Sequence, residues 1–126
     1  MTQISVTVVE ARNLQSNDLF DKIDPVIKVY TGRGFTSKGK TSVRKDDTNP
    51  TWNESFKLKF NHRHDTLHVE LGDSKIKDTE KVGSCGIPLA ELKMSGCIDS
   101  WYVLSNKVGK SVGEVHLIIA KSKSMS

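Results

Sequence analysis

Aromatic residues are scarce in this chain: four Phe, two Tyr and two Trp among 126 residues. Most of them alternate with positions that read as core-facing. That leaves no platform on which nucleic-acid bases could stack, and no nucleic-acid partner is expected. Cysteine is scarcer still. Cys85 and Cys97 are the only two and form no CxxC pair, so a disulfide scaffold is not expected and both read as small buried or semi-buried thiols. No apolar run approaches the ~20 residues that cross a bilayer, and no secretory pattern follows Met1, so the expected compartment is the cytoplasm. Helical periodicity is almost absent, and residues 88–94 (PLAELKM) offer the one short candidate, with Gly96 as a stop. There is no nucleophile elbow, phosphate loop or acid/base carboxylate pair, and the chain is read as non-enzymatic. His62, Arg63, His64 and Asp65 invite a zinc reading, but no further Cys or His has supporting spacing, so they read as a solvated turn.

What is present is alternation. Ile4, Val6 and Val8 alternate with Ser5 and Thr7, and the doubled Val8-Val9 points to a bulge or to burial on both faces. Further strands are expected at residues 26–31, 40–45, 52–60, 67–71, 82–89, 101–104 and 112–120, with turn chemistry between them. Phe56, Leu58 and Phe60 fall on one face of the fourth strand, opposite Lys57 and Lys59. Eight short strands with turns every 8 to 12 residues predict an all-β, eight-stranded antiparallel sandwich in one domain over residues 1–121, with 122–126 as a frayed tail. The net charge of +4 favours an anionic partner.

The first connection is unusual. Asp18, Asp21 and Asp24 lie within a few residues of one another, with Leu19 and Phe20 between them and Pro25 after. Carboxylates beside apolar residues fit a hard-cation site, a membrane-touching tip, or an acidic turn whose Leu and Phe fold back onto the core.

Several stretches resemble a C2 domain, the calcium- and lipid-binding β-sandwich. They are ISVTVVEARNL at the start, Asp24-Pro25, and above all TNPTWNESFKLKF with Asn49, Pro50, Trp52, Asn53, Glu54 and Phe56. Val82-Gly83, Ile87-Pro88-Leu89, Trp101-Tyr102-x-Leu104 and Gly113-Glu114-Val115-His116-Leu117 follow in order. The arrangement resembles the second of the family's two permuted topologies.

The resemblance implies calcium held by acids from two loops at one end of the sandwich. Asp18 and Asp24 would come from the first loop; Asp73 and Glu80, with Asp78 as an alternate, would come from the loop after the fifth strand. Lys75 stands where the family carries a further aspartate; its ammonium would repel an ion or replace it as a built-in cation. Leu19, Phe20, Lys75, Ile76 and Lys77 at the loop tips would meet an anionic interface. A second basic group, Lys28, Lys38, Lys40, Arg44, Lys57 and Lys59, would form a concave face for phosphoinositide headgroups, or simply solvated strand faces. Two functional readings follow. One is a peripheral membrane-targeting module on anionic phospholipid, with calcium as its switch. The other is a calcium-independent, protein-interacting scaffold domain with a degraded metal site.

Overall fold

The computed structural model describes residues 2–16, 22–32, 37–60, 66–75 and 81–122. Eight strands appear among them in order: β1 (Thr2–Arg12), β2 (Pro25–Thr31), β3 (Lys38–Lys40), β4 (Thr51–Phe60), β5 (Thr66–Asp73), β6 (Lys81–Pro88), β7 (Cys97–Ser105) and β8 (Ser111–Ser122). One short helix, α1 (Ala90–Ser95), lies between β6 and β7. All pairings are antiparallel, in the order β3-β2-β5-β6-β7-β8-β1-β4. Among the described residues a single pair, Ser84 with Ser105, joins β6 to β7. The order therefore divides into two four-stranded sheets, β3-β2-β5-β6 and β7-β8-β1-β4, facing one another across the core.

The period-2 pattern produces this arrangement. Ile27 and Val29 of β2, Leu67, Val69 and Leu71 of β5, and Ile4, Val6 and Val8 of β1 are all buried. Alternate side chains on each strand point to one face, so one sheet's inward set meets the other's and a single core results. The expected irregularity at Val8-Val9 is a register shift between Val8 and Glu10 against both β4 and β8.

Two expectations are corrected. The third strand covers only Lys38–Lys40 rather than residues 40–45. Thr41 ends it: the Thr41 hydroxyl accepts the Ile27 N–H at 2.9 Å, taking a ladder position that a backbone carbonyl would fill, and the Ser42 N–H turns away to Glu54 Oε1 at 2.9 Å. The helix begins at Ala90, not at Pro88, which is the last residue of β6 and pairs with Thr66. Gly96 ends it as expected, in the left-handed region at φ 77°, its N–H bonded to the Leu92 carbonyl. Both cysteines are free. Cys85 is half-buried, its thiol pushed up to about 11 by burial, and so stays neutral at pH 7; Cys97 is exposed, a further correction to the expectation that both thiols are at least semi-buried. Among the described residues no helix is long and apolar enough to cross a membrane.

Candidate functional site

The segment from Thr48 to Phe56 organises one end of the sandwich. The Asn49 carboxamide oxygen accepts the Asn13 N–H at 3.0 Å, the Thr48 carbonyl accepts the Leu14 N–H at 3.0 Å, and the Pro50 carbonyl accepts the Ala11 N–H at 2.9 Å. The exit of β1 is thereby held where it leaves the core. Trp52 is buried, and its Nε1–H donates to the Ser42 carbonyl at 2.8 Å. Glu54 accepts from both the Ser42 N–H (2.9 Å) and hydroxyl (2.6 Å). Phe56 lies against Gly39, where a Cβ would come within 2.4 Å of the ring, so only glycine lets β3 close onto β4 here. Residues 41–50, between β3 and β4, are tied on both sides by these bonds and return to the end where β1 exits and β2 begins.

Asp24, Asp46, Asp73 and Lys75 meet at that end. Asp73 is 5% exposed at the end of β5. Its Oδ1 accepts the backbone N–H of Asp24 and of Lys75, each at 3.1 Å, and its Oδ2 accepts the Ser16 hydroxyl at 3.3 Å. Ser74 N–H returns to the Asp24 carbonyl at 2.9 Å. Asp73 thus fixes the backbone of both loops, and its bond to the Lys75 N–H closes the turn from which the lysine stem sets out. Lys75 Nζ ends 2.6 Å from the Lys22 carbonyl, 2.8 Å from Asp46 Oδ1 and 3.6 Å from Asp24 Oδ1. Asp24 Oδ1 also accepts the Asp46 N–H at 2.7 Å. Asp46 itself sits at φ 49°, a left-handed conformation that Asp tolerates. Among the described residues, no three His, Cys, Asp or Glu side chains converge as metal ligands do.

The outer side of the β3-β2-β5-β6 sheet is basic. Lys28 lies directly opposite Lys40 on β3 and Glu70 on β5, and Lys38 lies opposite Tyr30. A shallow cleft passes over Gly72, with Lys28, Lys40, Lys81, Val43 and Glu70 around it. The Tyr30 hydroxyl donates to Glu70 Oε2 at 2.7 Å and its ring stacks on His68, centroids 4.9 Å apart. Burial first, and then Glu70 as acceptor and neighbouring charge, push the Tyr30 phenol up to about 12.

A sequence model of the C2 domain family matches residues 2–104. The chain belongs to the C2 domain family. Synaptotagmin-5 of Arabidopsis thaliana is 33% identical over 109 residues, covering 85% of this chain and 19% of that protein. The Calcium-dependent lipid-binding protein of the same organism is 33% identical over 92 residues, covering 72% and 18%. A calcium-bound structure of paired C2 domains from Extended-Synaptotagmin 2 superposes with a TM-score of 0.76 at 25% identity, covering 95% of this chain and 45% of that one. The chain spans less than a fifth of the length of each of these two curated relatives.

In this C2 domain the structure brings Asp24 and Asp73 together, joined through the Asp24 N–H. Asp18, Asp78 and Glu80, together with Asp21, Leu19, Phe20, Ile76, Lys77 and the His62 to Asp65 segment, lie outside the described residues. The six-residue basic group does not share one face. Lys28, Lys38 and Lys40 do. Lys57 and Lys59 flank buried Leu58 on β4 and lie on the outer side of the other sheet, because β4 pairs with β1 and not with β3. Arg44 is a brace: it donates to the Thr51 carbonyl (3.1 Å) and to the Ser42 hydroxyl (2.8 Å) and approaches Glu54 at 3.8 Å.

Sequence reasoning missed Asp46 and Lys81. The signal for Asp46 was an acid just ahead of the Asn-Pro turn, in a connection that must return to the end where β2 begins. The Lys75 ammonium, first as hydrogen-bond donor and then as charge, holds the Asp46 carboxyl below the usual carboxylate range. A carboxylate held low in the folded state adds stability above its unfolded pKa of roughly 3.9 and loses it as the pH falls through the lowered value. Asp46→Asn should therefore be less stable than wild type at neutral pH, with the difference shrinking below about pH 4, as followed by circular dichroism of acid unfolding.

Proposed function

We propose that this domain is a non-enzymatic, peripheral membrane-docking module that binds anionic phospholipid. The observation that carries this reading is the lysine row on β2 and β3. Lys28 faces Lys40 with Lys38 two residues along. An anionic surface can meet these lysines together, each basic residue near it adding about 1 kcal/mol. Lys81 extends the row towards the loop end. Leu19, Phe20, Ile76 and Lys77 support insertion by their sequence character alone. The anionic leaflet is the cytoplasmic one, which supports a cytoplasmic, peripheral location. The name of the lipid-binding Arabidopsis relative supports the same reading, and the calcium-bound Extended-Synaptotagmin structure makes calcium the ligand to test. We also take the order of strands as the second permuted C2 topology, supported by a first strand that lies between β4 and β8.

Co-sedimentation with vesicles tests the reading. In chelator, the domain should pellet with vesicles containing phosphatidylserine and stay in solution with phosphatidylcholine alone. Failure to pellet with either, in calcium as well as in chelator, would replace membrane docking with the protein-interaction reading.

A further inference from the structure

We infer that Lys75 is a tethered counter-ion that stands where a loop-end metal ion would, so that the acidic end is assembled without metal. Two observations converge on this. The ammonium is seated among oxygens from two separate connections, the Lys22 carbonyl, Asp24 and Asp46, at 2.6, 3.6 and 2.8 Å. Oxygen donors with carboxylate charge are the surroundings a hard cation selects. The lysine backbone is fixed by the Asp73 carboxylate, which also holds the Asp24 N–H, so the stem is launched towards the acids rather than into solvent.

The physical consequence is competition. Asp24 and Asp46 are bridged by the Asp46 N–H at 2.7 Å, and their charges lie on one side of a loop end that would repel itself without a cation. Lys75 supplies that cation permanently. A divalent ion entering the same space would have to displace the ammonium and break its contacts to all three oxygens. The described ends of these connections are therefore already held together in the absence of calcium, and Asp24 and Asp46 are no longer a pair for calcium to bring together. The consequence for membrane docking, independence from calcium, rests on the lipid reading above; the counter-ion role itself does not.

Calcium titration calorimetry and thermal unfolding, without membranes, keep the two apart. The wild type should show no saturable calcium binding up to concentrations on the order of 1 mM, the weak end for extracellular-type sites. Lys75→Ala, and Lys75→Met to keep most of the stem, should melt at lower temperature in chelator, bind calcium at least tenfold more tightly than the wild type, and recover their melting temperature when calcium is added. Saturable calcium binding by the wild type, undiminished relative to the variants, would overturn the inference. So would variants that lose stability without gaining a calcium response, since Lys75 would then be only a structural tether. Should Lys75→Ala not fold, the wild-type titration and the methionine variant still decide.

Discussion

Replacing Lys28, Lys38 and Lys40 together with glutamine is expected to weaken binding to phosphatidylserine vesicles about 100-fold. Three basic residues at about 1 kcal/mol each sum to roughly 3 kcal/mol, and each 1.4 kcal/mol is tenfold in affinity. The three project from the outer side of neighbouring strands, two of them directly opposite one another, so a flat anionic surface can meet all of them at once. Glu70, opposite Lys28, reduces the sum but is itself held by the Tyr30 hydroxyl. Raising the salt should weaken the wild type steeply and the triple variant little, because the Debye length is about 8 Å at physiological ionic strength and shortens with salt. Lys57→Gln/Lys59→Gln provides the control. Those lysines lie on the outer side of the other sheet, and their loss should change binding less than about threefold, well below the 1 kcal/mol per residue expected of a contacting lysine. An equal loss in both variants would mean that net charge, not a face, attracts the membrane.

The second large effect concerns the fold where β1 leaves the core. Gly113→Ala is expected to destabilise the domain by about 3 kcal/mol or more, lowering the melting temperature by roughly 10 °C. Gly113 sits in β8 at φ 132°, where an L side chain is strained, and a Cβ there would come within 2.7 Å of Leu14 Cδ2, 2.9 Å of the Arg12 carbonyl oxygen and 3.0 Å of the Asn13 carbonyl oxygen. Two of those contacts are backbone and cannot swing aside. The exit of β1 is threaded between this strand and the Asn49 segment, with Gln15 N–H on the Val112 carbonyl and Leu14 N–H on the Thr48 carbonyl, each at 3.0 Å. The substitution must therefore move the start of the first acidic connection as well as strain β8. Thermal denaturation reads the first effect, and vesicle binding below the melting temperature reads the second.

The strands were legible wherever one face is buried and the other wet. Leu67, Val69 and Leu71 alternate without interruption, and the sheet follows them. The third strand was misplaced because Thr41 and Val43 keep the alternation while the Thr41 hydroxyl, not the pattern, decides where the ladder stops. The lysines were grouped too widely for a related reason. Alternation fixes the face of a strand on which Lys57 lies, but not the sheet to which the strand belongs, and that depends on β4 pairing with β1 across more than forty residues of chain. Asp24 and Asp73 were identifiable from local spacing. Asp46 was not, since its role depends on a lysine 29 residues away in sequence reaching it. Lys75 was recognisable as a misfit among acids, but the oxygens around its ammonium, from Lys22, Asp24 and Asp46, come from connections that local spacing does not bring together.

The most direct measurement is co-sedimentation of the wild-type domain with one preparation of phosphatidylserine vesicles, in calcium and in chelator side by side. A loop end neutralised by Lys75 and a membrane contact made by Lys28, Lys38 and Lys40 predict the same bound fraction in both, falling equally as salt is raised. Pelleting in calcium with none in chelator would contradict the account.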